Sequence, residues 1–237
     1  MRMMKLKRIE KIDNDSNRYD IEVRQNHNFF ANNILVHNSC SVYTYSPHAD
    51  DRAFKKHWFV TSKGQGSKGL ALYDNEKNNT SNVYVRVAVE NNFFDKFEKA
   101  AKEMGFDGQF TVFGESAGAG VQDLVYGSKN GKKFFRGFDV FVGEPVGGRY
   151  LNVAERTMFF EIAEVPMVPV LYHGPFSYEV MMEHTDGKET VSGKEEHIRE
   201  GIVVRVNTER FHDKIGRVML KSVSSDYLFR KNATEYT

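Results

Sequence analysis

Residues 1–38 alternate charged and apolar side chains in runs too short to enclose a core of their own. KLKRIEKI sets lysine and arginine against Leu6, Ile9 and Ile12, and RYDIEV and ILV supply the β-branched and aromatic residues of short strands. A β-rich segment of this size is expected to fold only against a partner. At Ser39 the texture changes to longer alternation of strands and helices, dividing the chain into residues 1–38 and residues 39–237.

In the second part a polar loop follows SVYTY, and the glycines of WFVTSKGQGSKGLALY punctuate two short apolar runs. VYVRVAV, FTVF and FFRGFDVFV predict strands. From Asn92, a capping residue type, Phe93, Phe94, Phe97, Ala101 and Met104 share one helical face, and Gly105 stands where a C-terminal cap belongs. Asn152 and Glu155 have the spacing of a capping box for the helix VAERTMFFEIAE, which ends before Pro166. VPVLY, GIVVRV and RVMLKSV predict further strands, SYEVMMEH a short helix, and HTDGKETVSGKEE a surface loop. The pattern predicts a mixed α+β domain.

Composition narrows the function classes. With 40% hydrophobic and 27% charged residues, wholesale disorder is excluded. Thirty-three basic and 32 acidic side chains leave a formal charge of +1, so any nucleic-acid surface must come from local clustering. The single cysteine, Cys40, excludes an intramolecular disulfide, and no Cys/His cluster has structural-zinc spacing. No apolar stretch is long enough to span a bilayer, and MRMMKLKRIEKID lacks the apolar core of a secretory signal, so a cytoplasmic protein without a membrane partner is expected.

YDIEVRQNHNFFANNILVHNSC resembles the two C-terminal blocks of an intein, over roughly the last twenty residues before the Asn38/Ser39 junction. An asparagine amide nitrogen can attack its own backbone carbonyl, forming a succinimide and breaking the next peptide bond without water. The resemblance gives that step to Asn38, assigns His37 and His27 to hydrogen bonding and proton transfer, and makes Ser39 the nucleophile that accepts the upstream chain as an ester. Asp20 matches a position associated with orienting the junction, and Asn33 stands where many inteins have glycine. The implied unit is a small all-β, Hint-type C-terminal intein fragment splicing in trans. The separate polypeptide that completes it carries the intein N-terminal fragment.

Downstream, TVFGESAG, FRGFDVFVG, REGIVVR and VMLKSVS resemble, in order and spacing, motifs of covalent nucleotidyltransferases, and among these the nick-sealing RNA ligases related to RNA ligase 2. The implied fold is a mixed α/β nucleotidyltransferase (ATP-grasp-like ligase) domain. In such enzymes a lysine attacks the ATP α-phosphate to give lysyl-AMP, AMP moves to an RNA 5′-phosphate, and a 3′-hydroxyl displaces AMP. Phosphoryl charge develops in each step, so cations and Mg²⁺ are required nearby. The resemblance implies that Glu115 binds ribose hydroxyls, Phe138 stacks on adenine, Glu200 engages the hydrated metal and Lys221 contacts the α-phosphate. Asp139 and Arg205 are further nucleotide-site candidates that equally suit orienting neighbouring strands. Lys63 and Lys68 in TSKGQGSKGL are candidates for a phosphate contact and equally suit a solvated loop. LKSVS departs from the LKxK of the best-known relatives, leaving Val223 at the second lysine position.

Ligases of this kind need a KxxG motif ahead of the SKG loop, and Ser39 to His57 contains none; Lys63 with Gly66 satisfies the pattern only formally. SCSVYTY resembles the residues that directly follow the nucleophile motif, so the catalytic lysine is expected on the partner polypeptide, with Cys40 an ordinary residue beside the nucleotide pocket. A DNA ligase or capping-type enzyme is the alternative within the superfamily, although NATEYT soon after LKSVS leaves no room for an OB domain. A non-catalytic nucleotide- or RNA-binding fragment is the alternative outside it.

Overall fold

The computed structural model describes residues 40–49, 53–62, 70–121, 124–128 and 131–230, and the backbone of four short strands before them. Those strands are β1 (Ile9–Lys11), β2 (Tyr19–Ile21), β3 (Phe29–Ala31) and β4 (Ile34–Val36). They pair as two antiparallel hairpins, β1 with β2 and β3 with β4.

The centre of the molecule is a five-stranded antiparallel sheet in the order β6-β5-β7-β8-β9. It is built from β5 (Cys40–Tyr45), β6 (Trp58–Ser62), β7 (Phe110–Gly118), β8 (Lys133–Val142) and β9 (Arg149–Tyr150). Side chains of a strand alternate between faces. Tyr43, Trp58, Val60, Phe110, Val112, Phe135 and Val140 therefore share one face and are buried with the helices. The helices are α1 (Glu76–Ser81), α2 (Val83–Glu90), α3 (Phe93–Glu103) and α4 (Val153–Ile162). Phe93, Phe94 and Phe97 of α3 pack around Tyr43 with ring centroids 6.2 Å away in each case. Fully burying each such ring contributes about 1.5–3 kcal/mol.

Helix α3 presents the apolar face expected of it, and Gly105 ends it with φ +76. Asn92 occupies the N-cap position in the left-handed region, φ 53, without a side-chain cap bond. The capping box of α4 is present in both halves: Glu155 N donates to Asn152 Oδ1 at 3.0 Å and Asn152 N donates to Glu155 Oε2 at 2.9 Å.

Two expected strands are corrected. VYVRVAV is helix α2, because Asn82 Oδ1 accepts from Tyr84 N and Val85 N and the sheet needs cover here. Val85, Val87 and Ala88 are fully buried while Val89 is 39% exposed, which breaks the period of two. VPVLY forms no strand. Pro166 and Pro169 have no N–H to extend a ladder, so pairing stops at an isolated bridge between Gly137 and Met167, with Val168 N donating to Gly137 O.

A second antiparallel pair, β10 (Gly201–Arg205) with β13 (Met219–Val223), carries α5 (Tyr178–Thr185) against it. The hairpin of β11 (Phe211–His212) and β12 (Gly216–Arg217) lies between them in sequence, and α6 (Ser225–Leu228) follows. RVMLKSV is thus split at Val218 into β12 and β13. No helix among the described residues is long and apolar enough to cross a membrane.

Candidate active site

The face of the central sheet turned away from the helices is one wall of a cleft of about 490 Å³. Along β7, Glu115 and Ala117 alternate onto this wall while Ser116 faces inward. Along β8 the register slips: Phe113 pairs with Asp139 and Gly114 with Gly137, leaving Phe138 as an extra residue. Such a bulge re-aims side chains. Phe138 and Asp139, neighbours in sequence, consequently both line the cleft, and Val140 returns to the core. The paired glycines make this possible. A Cβ on Gly114 would lie 2.0 Å from the Phe135 ring and one on Gly137 2.1 Å from the Phe160 ring.

The opposite wall comes from β10 and β13. Glu200, just ahead of β10, and Lys221, paired with Val203 in β13, both line the cleft, as does Arg205 at the end of β10. Gly201 follows Glu200 with φ +142 where a Cβ would meet Ser222 O at 2.1 Å. Only glycine suits that conformation and that space. Glu115, Phe138, Asp139, Glu200, Arg205 and Lys221 thus converge on a single cavity. Lys63, Lys68, His27, His37, Asn38 and Ser39 lie outside the described residues.

Glu200 is held by a residue the sequence did not single out. Tyr126 Oη donates to Glu200 Oε1 at 2.8 Å, Tyr126 N donates to His197 Nε2 at 3.2 Å, and His197 stands edge-on to the Tyr126 ring at 4.6 Å. Burial, then the charge of Glu200, pushes the Tyr126 phenol far above its ordinary range, so it stays a donor. Tyr126 adopts φ 47, an uncommon conformation for a bulky residue. Arg136, opposite Glu115 in the β7–β8 register, also lines the cleft.

Asp139 and Arg205 belong to a buried network. Asp139 is fully buried and ion-paired to both Arg205, at 3.1 Å, and Arg217, by a shorter contact. Glu209 Oε1 accepts from Arg205 and from Arg217, each at 2.7 Å. Arg205 also donates to Phe138 O at 2.8 Å, and the Arg217 guanidinium lies 3.6 Å from the Tyr150 ring centroid. The network ties the bulge to the β10–β12 segment. Arg217, Glu209 and the cleft-lining Arg156 had no sequence signal, since each is a charged residue in no recognisable motif.

Burial pushes the Glu209 carboxyl up, but hydrogen bonds from Arg217 and Arg205 outweigh it and leave the group below the ordinary carboxylate range. A depressed folded-state pKa stabilises above the unfolded value, about 4.3, and the benefit is lost as pH falls through the folded value. Resistance to urea should therefore decline below about pH 4.3, and Glu209→Gln should make that decline shallower. Equal acid dependence in both proteins would place the sensitivity elsewhere.

The RNA ligase family matches residues 37–223. Among solved structures, a lysine-to-alanine mutant of a Naegleria gruberi RNA ligase with ATP and Mn superposes with a TM-score of 0.56 at 18% identity, over 81% of this chain and 49% of that one. A lysine-to-methionine mutant of the Naegleria gruberi ligase with AMP and Mn does so with a TM-score of 0.56 at 20% identity and the same coverage. The chain therefore spans about half the length of these ligases. Short segments also match DNA polymerases: 50% identity over 50 residues in Thermococcus sp. (strain GE8) and 43% over 54 residues in Thermococcus litoralis. These cover 21% and 23% of this chain but 3% of each polymerase.

Proposed function

The chain belongs to the RNA ligase family, and we propose that residues 39–237 are the larger C-terminal part of an ATP-dependent RNA ligase whose adenylylation lysine arrives on another polypeptide by protein trans-splicing. The observation that carries the ligase half is the convergence of Glu115, Phe138, Glu200 and Lys221, distant in sequence, on one cleft. On this reading adenine stacks on Phe138, the ribose hydroxyls donate to Glu115, and the α-phosphate meets Lys221. The enzyme joins RNA 5′-phosphate and 3′-hydroxyl ends through lysyl-AMP and RNA-adenylate.

The nucleotide and manganese complexes of the Naegleria enzyme support ATP and a divalent ion as the requirements here. Glu200 lines the same cleft as Lys221. A single carboxylate there suits Mg²⁺, which keeps several waters and takes one or two carboxylates together with phosphate oxygens. Glu200 is the residue that would hold it, oriented by Tyr126. The ion, when bound, neutralises charge on the phosphoryl oxygens.

For residues 1–38 we propose a split-intein C-terminal fragment, with Asn38 cyclising, His37 and His27 assisting, and Ser39 accepting the upstream chain. The ligase match begins at residue 37, beside the Asn38/Ser39 junction. A segment of about a fifth of this chain, shared with 3% of a polymerase, has the distribution of an insert common to unrelated hosts. Both facts support the reading.

The experiment uses labelled ATP and Mg²⁺. The isolated chain should form no acid-stable adduct, while addition of the partner should yield a spliced product labelled on a lysine three residues before a glycine, just upstream of Ser39. Asn38→Ala should leave branched or unspliced protein. Robust labelling of the isolated chain, for instance on Lys63, would overturn the divided active site, and efficient splicing by Asn38→Ala would remove the intein assignment. Sealing of nicks in all-DNA duplexes in preference to RNA-containing ones would turn the substrate to DNA.

A further inference from the structure

Arg156 lines the cleft, and among the described residues no side chain forms an ion pair or hydrogen bond with its Nε or Nη1. It is 6% exposed. The nearby carboxylates Asp139 and Glu209 are engaged by Arg205 and Arg217, so three guanidiniums face two carboxylates. Nε of Arg205 is also without a partner among the described residues. Burial, then the neighbouring Arg205, lowers the Arg156 guanidinium to about 10, so it remains cationic at neutral pH. It also stands in the first turns of α4, where the helix dipole disfavours a cation. An unpaired buried cation in that position destabilises the unliganded fold. It is explained if a ligand supplies the acceptor.

The place of Arg156 along the cleft says which part of the ligand that is. Glu200 and Lys221 lie towards the start and middle of β10, whereas Arg156 interacts with Asp139 and Arg205, at the far end and next to Phe138. We propose that Arg156 is a base-reading residue, donating hydrogen bonds to a ring-nitrogen acceptor of the purine that stacks on Phe138. The inference rests on the ligase reading of the cleft. A guanidinium offers donors only, so it favours an acceptor edge and discriminates against a nucleotide whose matching ring nitrogen is absent.

The test measures equilibrium binding of ATP and of 1-deaza-, 3-deaza- and 7-deaza-ATP to the full chain, with thermal unfolding in parallel. Arg156→Met, which keeps apolar volume, should bind ATP at least about tenfold more weakly, as expected for loss of a charge-assisted hydrogen bond. The same variant without nucleotide should melt no lower than the wild type, because the buried cation is gone. One deaza analogue should bind the wild type poorly yet bind Arg156→Met as ATP does. Arg156→Lys, which retains the charge, should fall between them.

Several outcomes would overturn the proposal. They are unchanged ATP binding by Arg156→Met, a lower melting temperature of that variant without nucleotide, and an identical deaza pattern in both proteins. A loss that grows with phosphate number from adenosine to AMP to ATP would do the same by assigning Arg156 to phosphate. ATP binding that depends on Glu115 and Lys221 but not on Arg156 removes this inference alone, whereas absence of ATP binding by the spliced wild-type protein removes the ligase reading with it.

Discussion

Lys221→Ala in the spliced ligase is expected to slow formation of the lysyl-adenylate by about 100-fold or more, the scale of removing one preorganised contact to charge that develops in the transition state. Lys221 is half-buried in the middle of β13 and paired with Val203. The strand ladder places it, so alanine removes the ammonium without displacing the backbone. ATP affinity should fall less than the rate, because the charge on the α-phosphate grows as the bond forms. Rapid-quench measurement of enzyme-bound label from α-labelled ATP separates the two. An unchanged rate would leave Lys221 a structural role and return the phosphate contact to another cation.

The largest effect on stability is expected from Arg217→Met. The Arg217 and Asp139 side chains are 2% and 1% exposed, and Arg217 also bonds Glu209. Removing Arg217 strips its hydrogen bonds from both Asp139 and Glu209 and leaves Arg205 alone to hold two desolvated carboxylates, a loss of about 3–5 kcal/mol. Typical domains have about 5–15 kcal/mol in total, so urea unfolding should shift to a much lower midpoint. The exposed pair of Arg149 and Glu155, at 2.7 Å, makes the contrast. Arg149→Met should change stability by only about 0–1 kcal/mol. A small effect of Arg217→Met would mean that water or rearrangement reaches Asp139 readily.

Local signals were legible where they are local in origin. The Asn152/Glu155 capping box and the phenylalanine face of α3 each depend on residues within one or two helical turns. Aromatic and β-branched content predicted the strands β8 and β10, and the FGE, FDV, EGI and LKS segments, taken in order, supplied Glu115, Phe138, Glu200 and Lys221, which share the cleft. VYVRVAV failed because its alternation of valines is compatible with a strand until the sheet requires a covering helix. VPVLY has the apolar content of a strand, but Pro169 within it and Pro166 just before it deny the ladder two donors.

From the sequence alone came the two-part organisation proposed for the chain, the mixed α/β character of its larger part and the candidates Glu115, Phe138, Glu200 and Lys221, which share the cleft, because composition, periodicity and motif order are written in neighbouring positions. The tertiary structure alone decided how those residues work together. The bulge that turns both Phe138 and Asp139 into the cleft exists only in the pairing of β7 with β8. Tyr126 reaches Glu200 across 74 residues, and Asp139 reaches Arg217 across 78. The isolation of Arg156 is likewise invisible in a linear chain, for a buried charge without a partner is defined by what the fold fails to bring near it. Desolvation and ion pairing depend on distances in space, and no short-range pattern of residue types encodes them.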